Sequence, residues 1–480
     1  MRERGAVYLG ERAAGPAHRG WRRSVSVWLS VIALSVSACT TSSHDVLSSA
    51  SSRPSASGAG TANSMDIPSG LKTQSGSARP TETASSPEPA TSTGPANQPV
   101  VGPATKQTSS AVSGAIPKYA HGVSVAIEKA MKDDGTPGAV VLVRSAAGDW
   151  TSAFGVRALG KPAPVQVGDV FRLADITSTM TATIVLQLAK KGLLSLDDPI
   201  AKFVKGVPNG DRITIRELGT YRSGLFDYEQ DRTFQSLYTQ NPSRSWTPQD
   251  VLAFAFSHPS GAPGTESYSA TNFVLLGLVI EKVTGAPASS AFSTSLFKPL
   301  GLTHIGLADG APLPGPHADG YSWTKNPFDD PVLTDEQRHA AAAGTLSPTN
   351  QTADDPTWAF TAGAAYSDAA SLADLFTGIV SGSLLDNESR QQLTAGMNTL
   401  GPIEDAASVQ YGFGIARYGQ YLFYSGSMPG YSAFAAVDPK TATTIVILTN
   451  LAYAPEGDSP VADIFHVIAD AVEPVKVAGK

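Results

Sequence analysis

The distribution of predicted strands along the chain limits its fold more than any other feature. After a turn at Pro137, residues 138–143 are predicted to form a buried strand, and 149–154 its hairpin partner. Four more strands are predicted near the other end of the chain, at 411–418, 421–424, 432–437 and 443–449. Mostly helical patterns separate the two groups. The sequence therefore predicts an α+β fold, in which both chain ends build one antiparallel sheet flanked by helices and the middle forms a mostly helical lobe.

Apolar periodicity of this kind covers residues 118–475, which we interpret as one domain with a ligand cleft between sheet and helical lobe. The whole chain has 480 residues, of which 41% are hydrophobic, so it can bury a large core. Its formal net charge is -7, and no basic block offsets this acidic balance. Nucleic acid is therefore not expected as a partner.

The start of the chain carries the pattern of a lipoprotein signal peptide. A basic flank at 19–23 precedes the short apolar run Val25–Ala38, and small residues lead directly into Cys39. We therefore predict that residues 1–38 are removed, that Cys39 is lipidated, and that the protein is anchored in the cell membrane facing the extracytoplasmic side. The alternatives are an ordinary secretory signal with an incidental cysteine, or a membrane span, for which the run is short.

Residues 39–117 are predicted to be a disordered tether between this anchor and the domain. They are rich in Ser, Thr, Pro, Ala and Gly and have no sustained apolar period, so they cannot bury enough apolar surface to fold. Because Cys39 is the only cysteine in the chain, its lipidation leaves no thiol for disulfides, metal sites or catalysis.

Several motifs occur in an order that resembles one enzyme family. Phe171 begins the segment FRLADITSTMTATIVLQLAKKGLLSLDDPI, and further islands are ITIREL with SGL from Ile213, PGT with YS from Pro263, and YGFG from Tyr411. Together they resemble the serine beta-lactamase and DD-peptidase family, in its class C, beta-lactamase-related branch. This resemblance implies the fold of that family for nearly all of residues 118–475.

The resemblance also implies where a nucleophile and its base would stand. In the family, a serine at a helix N-terminus attacks the acyl carbon, and a lysine one turn later helps to deprotonate it. Here Asp175 occupies the serine position and Ser178 the lysine position. The other S-x-x-K strings, at Ser69–Lys72 and Ser295–Lys298, lie outside this segment and are interpreted as chance matches.

The remaining catalytic positions of the family are only partly retained. Its Y-x-N triplet, which assists proton transfer and holds the substrate amide, corresponds to Tyr268 and Ala270, so the asparagine is missing. Its H-x-G strand motif corresponds to Tyr424 and Gly426, with tyrosine in place of histidine. The resemblance further implies an oxyanion hole formed by the backbone N–H groups of residue 175 and of Ser427, which follows the glycine.

Two interpretations of Asp175 follow from its place at a helix start. It caps the helix, with Ser178 at the third helical position, or it attacks a substrate as a carboxylate. Backbone N–H groups and the helix dipole are expected to lower the pKa of Asp175 and weaken it as a nucleophile. Its charge would also repel an oxyanion formed beside it. We therefore favour the helix cap.

No metal or cofactor is predicted. The eight histidines include no HExxH or similarly paired spacing, and no glycine-rich phosphate loop follows a strand.

Three hypotheses of function remain open. The first is a catalytically inactive pseudoenzyme in the cell envelope, whose cleft (Asp175, Tyr268, Tyr424, Gly426 and Ser427) binds peptidoglycan peptide or another envelope protein. The second is an esterase, peptidase or beta-lactamase that acts through a rearranged site. The third is a structural domain whose cleft is closed by a hydrogen-bond network of Asp175, Tyr268 and Tyr424.

Overall fold

The computed structural model describes residues 116–328, 332–397 and 409–473. The predicted signal peptide, Cys39 and almost all of the predicted tether lie outside the described residues. So do the last two residues of the predicted domain, 474 and 475.

The main sheet joins the two ends of the domain, as predicted. It is antiparallel and has seven strands in the order β2-β1-β12-β11-β10-β9-β8. The first hairpin is paired to the last strand from Ala139 opposite Thr449 to Arg144 opposite Thr444. All strands are β1 Gly138–Arg144, β2 Trp150–Gly155, β3 Phe171–Arg172, β4 Ile305–Leu307, β5 Tyr321–Ser322, β6 Thr349–Asn350, β7 Ala365–Ser367, β8 Gln410–Tyr411, β9 Ala416–Tyr418, β10 Tyr421–Met428, β11 Tyr431–Val437 and β12 Thr444–Thr449.

The prediction of a single strand over 411–418 was wrong. The chain turns at Gly414, which has a φ of 63°, and this turn separates β8 from β9. A Cβ at Gly414 would lie 2.3 Å from the side chain of Ala182, so glycine also allows close packing on the helical lobe. The Gly414 carbonyl accepts a hydrogen bond from the hydroxyl of Thr179 at 2.7 Å.

Helices flank the sheet and fill the middle of the chain. The first and last helices, α1 and α12, pack against each other, and α10 and α12 both pack on β11 and β12. The α-helices are α1 Ala120–Asp134, α2 Ile176–Lys190, α3 Ile215–Gly219, α4 Arg232–Gln240, α5 Pro248–Phe256, α6 Thr271–Thr284, α7 Ala288–Phe292, α8 Asp335–Ala342, α9 Phe360–Gly363, α10 Ala369–Val380, α11 Asn387–Thr394 and α12 Pro460–Val472.

Helix α2 connects the helical lobe to the sheet. Most of its residues are buried, because it packs against α6 and α9 and also against β10. Its start therefore lies where the lobe and the sheet meet, which is the position predicted for a ligand cleft.

No single helix among the described residues is long and apolar enough to cross a membrane. The bent pair Thr271–Thr284 and Ala288–Leu300, with 79° between its two parts, meets the length and composition criteria only when taken together.

Candidate functional site

A strained turn presents Asp175 to the cleft. Strand β3 ends at Arg172, Ala174 has a φ of 48°, and α2 begins at Ile176. A positive φ is unfavourable for a residue with a Cβ, so the surrounding structure must hold this turn in place. The buried guanidinium of Arg172 does so in part, since it donates to the carbonyl of Ala311 at 2.6 Å.

The carboxyl group of Asp175 has one side-chain donor and two backbone donors near it. The hydroxyl of Tyr268 donates to Oδ1, and the backbone N–H groups of Asp175 itself and of Ser427 also contribute. Gly426 makes this approach possible, because a Cβ there would lie 2.4 Å from the nitrogen of Asp175. The carboxyl group is thus held between the start of α2 and strand β10.

Two expectations about Asp175 were wrong. Its side chain makes no capping hydrogen bond to α2, since it is directed to Tyr268 and β10 instead. Its pKa is raised to about 6 rather than lowered, because burial disfavours the charged form and outweighs the hydrogen bonds from Tyr268 and the backbone.

These backbone contacts have a direct consequence for chemistry. The N–H groups of residue 175 and Ser427 are the two that the family resemblance assigned to an oxyanion hole. In this protein the carboxyl group of Asp175 lies against Gly426, next to Ser427, and hydrogen bonding from the backbone of residues 175 and 427 opposes the rise in its pKa. When ionised, that group places a permanent negative charge where a reaction intermediate would place a transient one.

Ser178 is separated from this carboxyl group. Its side chain is 2% exposed, and its hydroxyl donates to the carbonyl of Ala362 at 3.1 Å. It does not line the cleft. A hydroxyl engaged with a backbone carbonyl cannot replace the amine of a lysine as a base.

Tyr424 lies behind the cleft and not in its lining, contrary to the expected set of cleft residues. It is 2% exposed, and its hydroxyl is hydrogen-bonded to that of Tyr221. The Tyr221 ring stacks on that of Tyr268, with centroids 5.2 Å apart. Burial raises the pKa of both Tyr221 and Tyr424, so both remain neutral. The network of Asp175, Tyr268 and Tyr424 in the third hypothesis is therefore not direct, because Tyr424 is hydrogen-bonded to Tyr221 and Tyr268 to Asp175.

Ala270 is also buried and contributes its backbone. It immediately precedes α6, and its N–H lies 3.3 Å from Oδ1 of Asp227, which accepts the hydrogen bond. The same oxygen accepts a hydrogen bond from the N–H of Glu229 at 3.3 Å. Asp227 therefore fixes the loop that leads to Glu229 against the start of α6.

The cleft itself is small, with about 50 Å³ of space that the centre of a water molecule can reach. Four of the predicted cleft residues line it: Asp175, Tyr268, Gly426 and Ser427. The sequence interpretation missed the other side chains that give it its character, which are Glu229, Phe328, Trp358, Met428 and Tyr453.

The residues that the sequence interpretation missed differ in whether a sequence motif indicated them. Tyr221 stands at the histidine position of the family pattern H-T-S-G, so the replacement was visible in the sequence. Glu229, Trp358 and Tyr453 belong to no motif and reach the cleft only through the tertiary fold.

Three carboxyl groups influence one another at this site. Burial, reinforced by the charges of Asp227 and Asp175, raises the pKa of Glu229 well above its usual value. The pKa of Asp227 is raised to about 7, chiefly by burial. Despite this grouping, no set of three or more His, Cys, Asp or Glu residues in the described part of the chain is arranged to hold a metal ion.

Comparison with known families agrees with this fold and site. The family model "Beta-lactamase" matches residues 123–467, which is most of the chain. The chain belongs to the beta-lactamase family. Its beta-lactamase domain includes every site position described above.

Individual relatives are distant. PbpX of Bacillus subtilis (strain 168), named for penicillin binding, is 22% identical over 283 residues, covering 58% of this chain and 62% of PbpX. Protein flp of Staphylococcus aureus (strain MRSA252) is 24% identical over 337 residues, covering 68% of this chain and 62% of flp. The chain thus spans less than two thirds of the length of these curated relatives.

A solved structure covers the domain more completely. A D-stereospecific amidohydrolase from Streptomyces sp. superimposes with a TM-score of 0.62 and 28% identity, covering 73% of this chain and 98% of the amidohydrolase chain. The beta-lactamase domain of this protein therefore shares its overall architecture with this amidohydrolase.

Proposed function

We propose that this protein is a cell-envelope lipoprotein whose beta-lactamase domain binds a ligand in its cleft without turning it over. The ligand would be a peptidoglycan peptide or a segment of another envelope protein. In this proposal the domain retains the family cleft as a recognition site, and the tether lets that site reach ligands above the membrane.

The observation that carries this proposal is the position of the Asp175 carboxyl group against Gly426, beside the backbone of Ser427, whose hydrogen bonding acts on its pKa. An acyl transfer reaction needs these donors free for the developing oxyanion. The nucleophile position holds a carboxylate, and Ser178 is engaged with Ala362. Loss of a serine nucleophile or its base typically removes roughly six orders of magnitude in rate, so family chemistry is expected near background.

A second candidate function has one observation in its favour. Asp175 has a pKa raised to about 6 and accepts a hydrogen bond from Tyr268. A carboxyl group with a pKa near neutrality in a cleft is suited to general acid–base catalysis. A rearranged hydrolase using Asp175 to activate water is therefore the alternative.

A hydrolysis assay distinguishes these two candidates, and intact-mass analysis tests for a covalent intermediate. The protein is incubated with a penicillin and with an activated ester, and hydrolysis of both is followed over time. We expect no covalent adduct and no hydrolysis above the rate in buffer. Hydrolysis by wild type that Asp175→Asn abolishes, with the thermal midpoint unchanged, would favour the rearranged hydrolase.

The proposed anchor is tested separately at Cys39. Its replacement, Cys39→Ala, is expected to remove the acyl mass and to release the protein from the membrane fraction or leave the signal peptide uncleaved. Membrane retention that is unchanged in this variant would instead favour the apolar run Val25–Ala38 as the anchor.

A further inference from the structure

Strand β2 forms an open edge of the main sheet. In the described part of the chain only β1 pairs with it, along the whole of Trp150–Gly155. The opposite edge of the sheet is β8, which is much shorter. Proteins protect long edge strands with charged residues, proline or a bulge, because unpaired backbone groups can pair with another chain. None of the six residues of β2 is charged or a proline, so this edge lacks that protection.

The backbone groups that face outward from β2 belong to Thr151 and Ala153. Gly155 shows which side is outward, since its carbonyl accepts a hydrogen bond from the N–H of Val165 at 3.2 Å. Alternate residues of a strand direct their backbone groups to the same side, so Thr151 and Ala153 also face away from β1. Among the described residues, no backbone group from outside the sheet is hydrogen-bonded to either of them.

The side chains of Trp150, Ser152 and Phe154 lie on one face of this edge, because side chains alternate along a strand. The rings of Trp150 and Phe154 are in contact, with centroids 6.2 Å apart. A second β2 that runs antiparallel, with Ser152 opposite its own copy, places Thr151 opposite Ala153. Their outward N–H and C=O groups can then bond to each other. The same register places Trp150 opposite Phe154, which is a favourable aromatic pair across strands.

The segments on either side of β2 complement each other in this antiparallel arrangement. The loop that follows β2 in one copy lies beside the turn that precedes β2 in the other. This loop contains Lys161, and the turn ends at Asp149, both of them exposed. The loop also contains Leu159, which is 40% exposed, and Ile116 at 75% lies near the turn, because Pro117 packs on Gly148. Opposite charges and exposed apolar side chains therefore approach each other.

We propose that two copies of this chain associate through β2, antiparallel and with Ser152 on the two-fold axis, so that their main sheets join. An interface of this kind uses the same surface of both copies and closes on itself, so it produces a dimer and not a fibre. Three strands separate β2 from β10, so the pairing leaves the cleft uncovered. One strand pair buries little area, so the association is weak in solution and is favoured when both copies share a membrane surface.

A charge exchange at the axis tests the register. Sedimentation velocity is measured on the full-length chain in detergent over a range of concentrations, and we expect wild type to change from monomer to dimer. Ser152→Lys and Ser152→Glu each place like charges opposite each other, so each should remain monomeric, whereas their equimolar mixture should form dimers. The control is Ser236→Lys, on the exposed face of α4, which should behave as wild type.

Three outcomes would overturn the proposal. The first is a wild type that remains monomeric at every concentration, both in detergent and when reconstituted into phosphatidylglycerol vesicles. The second is a mixture of the two charge variants that remains monomeric although each is folded by circular dichroism. The third is wild-type oligomers larger than a dimer, because a two-fold contact closes on itself.

Cysteine cross-linking gives the answer even if the charge variants fail to fold. Ser152→Cys is a small change, and residues opposite each other at a position without backbone hydrogen bonds have Cα atoms about 4.5 Å apart, within the range of a disulfide. Cys39→Ala is included so that position 152 carries the only thiol. We expect mild oxidation to link this variant into covalent dimers much faster than Ser236→Cys in the same background. Equal rates for the two variants would overturn the proposal.

Discussion

The hydroxyl groups of Tyr221 and Tyr424 are hydrogen-bonded to each other inside the protein, directly behind the cleft. Tyr221 has a positive φ of 57°, and Tyr424 belongs to strand β10. The pair therefore joins the loop after α3 to the sheet, and it occupies two positions at which the family pattern has histidine. Two neutral phenols replace two side chains that can carry protons near neutral pH.

We expect this pair to contribute to stability and not to ligand binding. Tyr424→Phe leaves the Tyr221 hydroxyl without this partner, which should cost about 1–3 kcal/mol in the free energy of unfolding. The double variant with Tyr221→Phe should cost less than the sum of the two single variants, because no hydroxyl is then left unpaired. Denaturant unfolding of all four proteins gives the coupling, and strict additivity would contradict the hydrogen bond.

Gly426 is expected to tolerate no side chain. The added Cβ of Gly426→Ala would meet the backbone nitrogen of Asp175 at 2.4 Å, so the strand or the start of α2 must move. Overpacking of this kind costs about 1–3 kcal/mol. Gly168→Ala is the matched control, since a Cβ there meets nothing within 4 Å. Similar thermal midpoints for the two variants would show that the contact is not tight.

A buried carboxyl group away from the cleft should make stability depend on pH. Asp134 is 7% exposed, and its pKa is raised to about 8, first by burial and then by the charges of Asp463, Asp458, Asp133 and Glu456. The folded state therefore favours the protonated form. This group stabilises the fold most at pH values below its ordinary pKa of 3.8, and that contribution is lost as the pH rises to about 8.

Asp134→Asn removes this dependence because the amide does not ionise. Since one pKa unit corresponds to about 1.4 kcal/mol and the pKa of Asp134 rises from 3.8 to about 8, we expect wild type to lose about 5 kcal/mol more than the variant between about pH 4 and about pH 9. Urea unfolding at several pH values measures the difference. An exposed carboxylate that is not among the charges acting on Asp134 supplies the control: Asp211→Asn should follow the wild-type curve. Parallel curves for Asp134→Asn and wild type would exclude a buried titrating Asp134.

The beginning of the domain can be tested by truncation. The sequence places it at Lys118. Just after this position, the hydroxyl of Tyr119 donates to the carbonyl of Gly148 at 2.8 Å, and its ring packs on Trp150. A chain beginning at Ile116 should unfold at the same temperature as the full chain. A chain beginning at Ala120 should lose about 1 kcal/mol with that hydrogen bond. An unfolded product from Ile116 would contradict the boundary.

The fold was predictable because its signals are local and repeated. Apolar runs such as 138–143 and 443–449 identify strands, and several motifs in one order identify the family. The turn at Gly414 was missed because the sequence does not reveal which of the two glycines in 411–418 has a positive φ. The raised pKa of Asp175 was missed for a different reason. The sequence shows that Asp175 lies at a helix start, where a lowered pKa is expected. The burial that raises its pKa instead depends on residues brought together only in the folded cleft.

The pairing of β1 with β12 determines when this domain can fold. Ala139 and Thr449 face each other in the sheet although most of the domain lies between them in the chain. A chain still being synthesised lacks the partner of β1 until nearly all of the domain has emerged, and contacts so distant in sequence form slowly. Until then β1 has only its hairpin partner β2. Any shortening that removes β12 therefore separates the first hairpin from the rest of the sheet, and a stable half-domain is not to be expected.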